Sequence, residues 1–219
     1  MKIIFQFLKY IFVAVIFFCL TAMTFAQSPH THQHSFSGAE QWATVFDDPN
    51  RDRWQKPHDV IQALAINADA AVADIGAGTG YFSIRLAHMV PRGTVYGVDA
   101  EPEMVRYLSE RAKKLGLRNL FVLESKADAP QLPTKVDLVL FVDVYHHLEN
   151  RSIYMKKIRD SLKPRGRIAV IDFKLDSPLG PPKHARLSTE QVKAEMKSAG
   201  FSLIEEHNFL PNQFFLIFQ

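Results

Sequence analysis

The residues whose types and spacing most clearly indicate a ligand-binding site form a glycine-rich loop at positions 76–80. The loop follows a short apolar run and precedes a stretch of helical spacing that begins at Tyr81. Glycine lets the backbone turn sharply and approach a ligand closely, and the first N–H groups of a helix can bind that ligand. The candidate ligand-contacting residues of this region are Asp74, Gly76, Ala77, Gly78, Gly80 and Tyr81.

A second acid extends the pattern. Asp99, followed by Ala100, ends the next apolar run, 25 residues after Asp74. A carboxylate at that place can accept hydrogen bonds from both hydroxyls of a ribose. A glycine turn alone would be a weak signal, but strand, loop, helix, strand and acid in this order predict a site for an adenosine-containing cofactor that includes Asp99 and Ala100.

Glycine spacing and charge indicate which cofactor this is. Dinucleotide sites usually carry G-x-G-x-x-G, with a pyrophosphate at the helix start, whereas the glycines here are spaced G-x-G-x-G. Asp74 would repel a pyrophosphate but could hold an ammonium group, directly or through water. S-adenosylmethionine has an ammonium group and no phosphate, so we expect it rather than NAD.

Two periodicities alternate along the rest of the chain. Apolar runs predict strands, and the stretches between them have helical spacing. Continuous apolar strands separated by helices indicate a parallel sheet covered on both faces, and the last two strands, with no helix between them, should pair antiparallel. The predicted strands are 70–75, 94–99, 120–124, 136–142, 167–171, 201–206 and 213–218, and the predicted helices begin at Pro57, Tyr81, Pro102, Arg151 and Ser188.

The bulk composition fits one globular domain and narrows the possible functions. The 219 residues are 47% hydrophobic and 22% charged, which rules out wholesale disorder. The formal net charge of +3 is too small to indicate a nucleic-acid binder. The single cysteine excludes an internal disulfide framework and a cysteine-rich zinc site, and we expect no metal in the domain.

Several segments together resemble the class I S-adenosylmethionine-dependent methyltransferases, over about residues 55–219. The glycine loop looks like that family's first motif, and the strand that ends at Asp99 looks like its ribose-binding strand. Asp128 opens a segment similar to the family's D-A-x-x-L-P, and Arg165 replaces a glycine of its L-K-P-G-G turn. The matching segments are residues 72–80, 95–99, 128–133, 137–148 and 162–167.

The resemblance implies a fold and further site residues. It implies an α/β, Rossmann-like, doubly wound sheet of seven strands, mostly parallel, in the order 3-2-1-4-5-7-6 with strand 7 antiparallel. Asp128 and Ala129 would contact adenine, and Asp143 would lie in a loop that faces the methyl group. The sequence looks most like the small-molecule and quinone-type branch, which lacks extra domains. The absence of the Asn/Asp-Pro-Pro-Tyr tetrapeptide that resembles amino-methylating enzymes for nucleic-acid bases supports this resemblance.

His146 and His147 are the candidates for a catalytic base. They follow the fourth predicted strand, where a base would meet an acceptor, and histidine titrates near neutral pH. An acceptor hydroxyl or carbon acid needs such a base, whereas other acceptors need none. The alternative interpretation is that His146 and His147 pack or cap the loop.

The segment before the first predicted helix is aromatic and charged but lacks a clear periodicity. Its side chains Trp42, Phe46 and Trp54 could cover the acceptor as a lid, or they could pack against the edge of the sheet. Further candidates for lining the acceptor pocket are Tyr145, Phe173 and His184.

The first 26 residues differ from the rest of the chain. Lys2 and Lys9 precede a continuously apolar stretch with small residues at its exit, so residues 1–26 are predicted to be a secretory signal peptide, with an uncleaved membrane anchor as the alternative. Both interpretations place the predicted methyltransferase domain, residues 40–219, outside the cytoplasm. Residues 27–39 form a linker whose three alternating histidines could hold a metal weakly or stay solvated.

The sequence therefore predicts an S-adenosylmethionine-dependent methyltransferase that moves a methyl group to a small-molecule acceptor by in-line displacement. The alternatives are a non-catalytic module that binds S-adenosylmethionine or a related nucleoside, and an NAD-dependent oxidoreductase. Export gives weight to the non-catalytic alternative, because the cofactor is made in the cytoplasm and its supply outside is unexplained. We expect no nucleic-acid partner, and membrane contact only through an uncleaved N-terminal segment; the sequence does not indicate an oligomeric state.

Overall fold

A seven-stranded sheet organises the chain in this computed structural model, which describes residues 38–125 and 130–219. The strands are β1 (Ala71–Ile75), β2 (Thr94–Asp99), β3 (Leu120–Glu124), β4 (Val136–Val142), β5 (Leu162–Phe173), β6 (Leu203–His207) and β7 (Gln213–Phe218). The helices are α1 (Ala39–Phe46), α2 (Arg51–Gln55), α3 (Pro57–Ala63), α4 (Tyr81–Met89), α5 (Pro102–Lys114), α6 (Arg151–Asp160) and α7 (Thr189–Ser198). Single 3₁₀ turns cover Tyr145–His147 and Lys183–Ala185.

The strand order is β3-β2-β1-β4-β5-β7-β6. Strands β1 to β5 pair in parallel, and β7 runs antiparallel to both β5 and β6. The predicted α/β doubly wound fold, its strand order and its antiparallel seventh strand are confirmed. Because the first five strands run the same way, the carboxyl ends of β1, β2, β4 and β5 lie at one edge of the sheet.

Both faces of the sheet are covered by helices, which explains why the central strands are apolar throughout. In β4, Leu138 and Leu140 belong to a core with α3, α4 and α5, whereas Val139 and Phe141 belong to a core with α6 and α7. All four side chains are fully buried. Successive residues of a strand point to opposite faces, so a central strand of a doubly covered sheet is apolar at both sets of positions.

Strand β5 is longer than the sequence indicates. A turn was expected before a strand starting at Arg167, but Leu162 already pairs with Val136, and a bulge separates this pair from that of Leu138 with Arg167. Within this irregular stretch Arg165 has a φ of 65°, a conformation that favours glycine. The partner strand therefore extends the ladder through a segment whose local sequence predicts a turn.

Helix α7 is capped by the residue at which the sequence predicts that this helix begins. Ser188 accepts a hydrogen bond from the Gln191 N–H at 3.1 Å and so caps α7.

The predicted N-terminal segment is not part of the described structure. Residues 1–37, which include the predicted signal peptide or anchor and the histidine-bearing part of the linker, lie outside the described residues. Within 38–125 and 130–219, no helix is both long and apolar enough to cross a membrane.

Candidate functional site

The glycine-rich loop joins β1 to α4 in a conformation that requires glycine. Gly76, Gly78 and Gly80 have φ values of 72°, 53° and 91°, in the left-handed region that other residues rarely adopt. The N–H groups of Gly76 and Ala77 donate to the Val98 carbonyl at 2.7 and 3.0 Å. The loop is thus tied to β2, and its backbone crosses the carboxyl ends of β1 and β2.

Two of these glycines also lie too close to their neighbours to admit a side chain. A Cβ atom at Gly76 would stand 2.3 Å from Val144 Cγ2, and one at Gly80 would stand 2.1 Å from Leu108 Cδ1. Between them, Thr79 is 1% exposed, and its Oγ1 has no hydrogen-bond partner among the described residues. Packing fixes the path of the loop against the residues that follow β4.

Asp74 lies buried beneath this loop. Its side chain is 3% exposed, and Ser83 Oγ donates to its Oδ2 at 2.5 Å. Burial raises the pKa of Asp74 to about 7; the Ser83 hydrogen bond opposes the rise, and the charge of Asp99 adds to it. A carboxyl group in this position gains from a cation that compensates its charge.

Asp99 stands at the end of β2, directly beside the glycine loop. Its Oδ2 accepts the Gly78 N–H at 2.7 Å, and its Oδ1 accepts the Glu101 N–H at 3.0 Å. Burial raises the pKa of Asp99 above its ordinary value, although these backbone donors oppose the rise. Ala100, the next residue, is exposed. The structure thus places the predicted ribose acid where it adjoins the loop.

Asp143 is the third acid and follows β4 with a φ of 59°. Gln213 Nε2 donates to its Oδ1, Gln55 Nε2 donates to its Oδ2 at 3.2 Å, and the Arg51 guanidinium lies 3.5 Å from the same oxygen. Burial raises the pKa of Asp143 to about 6, and the Arg51 charge opposes that rise. The carboxyl ends of β1, β2 and β4 therefore carry one acid each.

Arg51 is a residue of this site that the sequence did not single out. Its guanidinium stacks on the Tyr81 ring, 4.0 Å from the centroid, and its Nη1 donates to the Phe46 carbonyl at 2.8 Å. The side chain is 13% exposed. The predicted cofactor residue Tyr81 is thus held in a polar cluster, because its hydroxyl also donates to Asp52. A lone arginine in a segment without periodicity offers no local signal for this role.

Helix α1 covers the glycine loop. The Phe46 ring lies against Gly78, 3.6 Å from where a Cβ atom would stand, and Trp42 stacks on Phe46 at 5.3 Å between centroids. Asp47 pairs with Arg111 at 2.8 Å, and the same guanidinium nitrogen donates to the Thr79 carbonyl at 3.0 Å. Trp42 and Phe46 therefore lie at the predicted cofactor loop.

The two candidate histidines differ sharply in their surroundings. Asp172, near the end of β5, lies with both carboxylate oxygens 2.9 Å from His146 Nδ1. Both of these side chains are 4% exposed. His147 is exposed and contacts the His146 ring at 4.0 Å between centroids. His146 lies in the turn directly after β4 and Asp143, and its partner Asp172 lies on β5, whereas His147 is exposed.

Apolar side chains stand beyond the end of β5. Trp54 packs on Phe173 at 5.7 Å between ring centroids, while Leu175 and Leu179 are 50% and 41% exposed. The segment 174–187 that carries them is held by Arg186, whose guanidinium donates to several backbone carbonyls. These carbonyls belong to Lys174, Leu175, Ser177, Leu179 and Pro181.

Two other residues that the sequence offered for the acceptor pocket have different surroundings. Tyr145 is fully buried, and its hydroxyl donates to Glu195 at 3.1 Å, so it packs inside rather than lining an open site. His184 is exposed on the 3₁₀ turn at Lys183–Ala185. Phe173, the third candidate for lining the acceptor pocket, packs against the candidate lid residue Trp54.

Two predicted adenine contacts, Asp128 and Ala129, lie outside the described residues. Among the residues that are described, no group of three His, Cys, Asp or Glu side chains could hold a metal ion. A cleft of about 320 Å³ opens at the amino ends of β1, β4 and β5. Its charges are largely satisfied within the protein, because Lys163 pairs with Asp137 at 2.7 Å and Arg167 donates to the Leu64 carbonyl at 2.6 Å.

Similarity to known proteins agrees with this geometry. A region of a demethylmenaquinone methyltransferase from Listeria welshimeri is 28% identical over 124 residues, which is 55% of this chain and 51% of that protein. A region of a probable (S)-tetrahydroprotoberberine N-methyltransferase from Papaver bracteatum is 31% identical over 87 residues, 40% of this chain and 24% of that enzyme. The chain thus matches about half, or less, of these curated relatives.

The fold and the family are shown by two further comparisons. The crystal structure of a SAM-dependent methyltransferase from Aquifex aeolicus superposes with a TM-score of 0.77 at 28% identity, covering 82% of this chain and 97% of that one. The sequence model of the methyltransferase-domain family Methyltransf_31 matches residues 66–212. With its glycine loop, its three acids and this match over most of its length, the chain belongs to the methyltransferase-domain family.

Proposed function

We propose that the protein moves a methyl group from S-adenosylmethionine to a small-molecule acceptor. The observation that carries the proposal is the acid cluster around the glycine loop, in which Asp74 lies buried beneath the loop and Asp99 accepts the Gly78 N–H at 2.7 Å. Buried carboxylates of this kind favour a cationic ligand. The cofactor, S-adenosylmethionine, meets that condition and supplies a methyl group on a positively charged sulfur.

The residues of the site fit the parts of this cofactor. Asp74 can compensate the ammonium group, and Asp99 can accept hydrogen bonds from the ribose hydroxyls. The left-handed glycines let the backbone lie close to the nucleoside. Arg51, which lies between Asp143 and Tyr81, can bind the carboxylate of the amino-acid end. A pyrophosphate would meet three carboxylates instead.

A small acceptor is supported by the surroundings of the site. Helix α1 lies against the glycine loop through Phe46, and Trp54 packs on Phe173 at the end of β5. Aromatic side chains at both places favour a compact ligand in a site that excludes water. The curated relatives in Listeria and Papaver are named for small molecules, a quinone precursor and an alkaloid. We infer an acceptor of comparable size for this protein.

Calorimetric titration tests the proposed function. The full chain should bind S-adenosylmethionine and S-adenosylhomocysteine at pH 8 and should not bind NAD. Asp99→Ala should weaken both affinities by about 10- to 100-fold, because it removes charge-assisted hydrogen bonds. Asp137→Ala makes the same charge change at the opposite edge of the sheet and should leave them intact. Binding of NAD alone, or no binding by a folded protein, would contradict the proposal.

We also propose that residues 1–26 direct the protein out of the cytoplasm. The proposal rests on the basic start, the apolar stretch and the small residues at its exit. Expression of the full chain in a bacterial host, followed by fractionation and N-terminal sequencing, should yield a periplasmic protein that begins at Gln27. An uncleaved chain in the membrane fraction would identify an anchor, and a soluble cytoplasmic chain that retains Met1 would refute export.

A further inference from the structure

We propose that His146 acts as a general base through Nε2, that Asp172 positions it, and that the acceptor is an apolar molecule that reacts through a hydroxyl. The inference deepens the proposed function and rests on it. The sequence offered two adjacent histidines without a choice between them and did not identify Asp172. The geometry of the His146–Asp172 pair selects His146 over His147 and identifies Asp172 as its partner.

The contacts of Asp172 stabilise one tautomer of the His146 ring. Its carboxylate accepts hydrogen bonds from the His146 backbone N–H at 3.1 Å and from the Phe173 N–H at 2.8 Å, besides contacting Nδ1 at 2.9 Å. A carboxylate accepts only, so the Nδ1 atom must carry the proton. The lone pair of the neutral ring then lies on Nε2, which is the atom that can take a proton.

The pair lies next to the cofactor loop and not in a remote part of the core. Strands β4 and β5 are parallel neighbours, with Val142 opposite Ile171, so the residues after each strand end meet at the same edge. Val144, in the same turn as His146, packs so closely on Gly76 that no Cβ atom would fit there. His146 therefore lies in a turn that packs against the glycine loop, where the cofactor would bind.

Burial of the pair has a chemical consequence. The side chains of His146 and Asp172 are each 4% exposed, so bulk water has little access to take the acceptor proton. In the transfer, the acceptor oxygen forms a bond to the methyl carbon, the carbon–sulfur bond breaks with its electron pair going to sulfur, and Nε2 takes the hydroxyl proton. The resulting imidazolium is compensated by Asp172 and releases the proton to solvent after the methylated product has left the site.

A base is needed by a hydroxyl or a carbon acid, and of these two the hydroxyl is the one that donates a normal hydrogen bond to the Nε2 lone pair before transfer. A neutral amine already presents a lone pair to the methyl carbon, whereas a hydroxyl is a weak nucleophile until its proton is removed. The apolar character follows from the neighbours at the end of β5, where Trp54, Phe173 and the exposed Leu175 and Leu179 gather. Such side chains bind aromatic or aliphatic surface and give little to a charged acceptor.

Nitrogen-15 NMR of the histidine rings tests the base without requiring turnover. Ring signals that the full wild-type chain shows at pH 8 and that His146→Gln lacks belong to His146. They should show a proton on Nδ1 and no proton on Nε2. His88→Gln, which removes an exposed histidine of α4, should leave those signals unchanged. In Asp172→Asn the Nδ1–H signature of His146 should be lost, while S-adenosylhomocysteine still binds. A proton on Nε2 in the wild-type protein would overturn the proposal.

Two ligands then test where Nε2 points, and this comparison needs no variant. S-adenosylhomocysteine carries a neutral sulfur at the reacting position, whereas sinefungin carries an ammonium-bearing carbon there. The Nε2 resonance should differ by several ppm between the two complexes, and identical resonances would contradict a base beside the methyl group. If neither ligand binds, the proposed function itself fails and the base assignment falls with it.

A matched pair of probes tests the acceptor class in the S-adenosylhomocysteine complex. We expect 2-naphthol to shift the Nε2 resonance at millimolar concentration, because its hydroxyl donates to that atom. Naphthalene fills the same apolar space without a donor and should leave the resonance nearly unmoved. Equal shifts from both probes, or no shift from 2-naphthol, would contradict an apolar hydroxyl acceptor.

Discussion

Asp74→Asn is expected to make the ligand-free protein harder to unfold at pH 8 while weakening its binding of S-adenosylmethionine. The buried carboxyl group has a pKa of about 7 in place of 3.8, so its ionisation in the folded protein is costly. Asparagine keeps the shape and can still accept the Ser83 hydroxyl hydrogen bond. The substitution removes a buried charge that the protein compensates only in part, through the Ser83 hydrogen bond and the more distant Arg51 charge.

The sign of the pH dependence follows from linkage. Between about pH 4 and pH 7 the folded wild-type protein holds a proton on Asp74 that the unfolded chain has released, so this group lowers stability as pH rises through that window. The gain from Asp74→Asn should therefore be absent near pH 4 and complete above pH 7. A rise from 3.8 to about 7 corresponds to at most about 4 kcal/mol.

Urea unfolding at pH 4 and pH 8, together with calorimetry, checks this prediction. Asp137→Asn is the matched control. Lys163 holds the pKa of Asp137 below its ordinary value, so removal of the Asp137 charge should destabilise the folded protein slightly at pH 8. Binding of S-adenosylmethionine to Asp74→Asn should weaken by about 10- to 100-fold, the cost of losing a charge-assisted hydrogen bond. An equal loss of stability at both pH values would show that Asp74 serves only as a structural acceptor.

The parts of the site that could be predicted from sequence are those encoded locally. Asp74 and Asp99 lie at the ends of short apolar runs and the glycine loop follows the first of them, and a parallel strand whose two faces are both buried has a recognisable composition. Each of these residues lies within a few positions of the strand end that places it. Their convergence needs only the rule that carboxyl ends of parallel strands share an edge.

Asp172 and Arg51 could not be predicted, for different physical reasons. The predicted fifth strand ended at Ile171, so Asp172 fell just beyond it, and its contact with His146 spans 26 residues of sequence. Arg51 lies in a segment whose buried contacts are charged and aromatic, and such contacts leave no hydrophobic period. Its pairing with Asp143 depends on how α2 folds back onto β4, which is a long-range property of the fold.

The extent of β5 is also set by long-range pairing and not by the local sequence. Pro164, Arg165 and Gly166 are turn residues by composition, and the local sequence predicts a break there. The structure instead continues the strand with a bulge, because Val136 supplies a partner for Leu162. Pairing across the sheet overrides local preference where a neighbouring strand is available.

Arg51→Met is expected to destabilise the protein strongly at pH 8 and much less at pH 5. Arg51 is the cation beside the partly buried Asp143, 3.5 Å from its Oδ2, and methionine keeps most of the stem without the charge. Breaking a fully buried pair by removing one partner costs about 3–5 kcal/mol, because the other charge is left uncompensated. The Asp143 side chain is 22% exposed, so we expect a cost at or below the lower end of that range. At pH 5 Asp143, with a pKa of about 6, is mostly protonated, so this cost largely disappears.

The direction of this pH effect can be worked out from Asp143 alone. Its folded pKa is already above the ordinary 3.8, so the group lowers stability as pH rises from about 4 to about 6. Loss of the Arg51 charge moves the pKa of Asp143 higher still and extends that decline to higher pH. The difference between Arg51→Met and wild type should therefore widen from pH 5 to pH 8.

Urea unfolding of four proteins isolates the pair: wild type, Arg51→Met, Asp143→Asn and the double variant. The double variant should recover much of the stability lost in Arg51→Met at pH 8, because no buried charge remains unpaired. Arg85→Met is the matched control, since Arg85 also lies on the Tyr81 ring, at 4.1 Å, but pairs with the exposed Asp52. It should cost less than about 1 kcal/mol. Equal losses in Arg51→Met and Arg85→Met, or an Arg51→Met effect that does not change with pH, would mean that Arg51 acts through packing and not through the charge of Asp143.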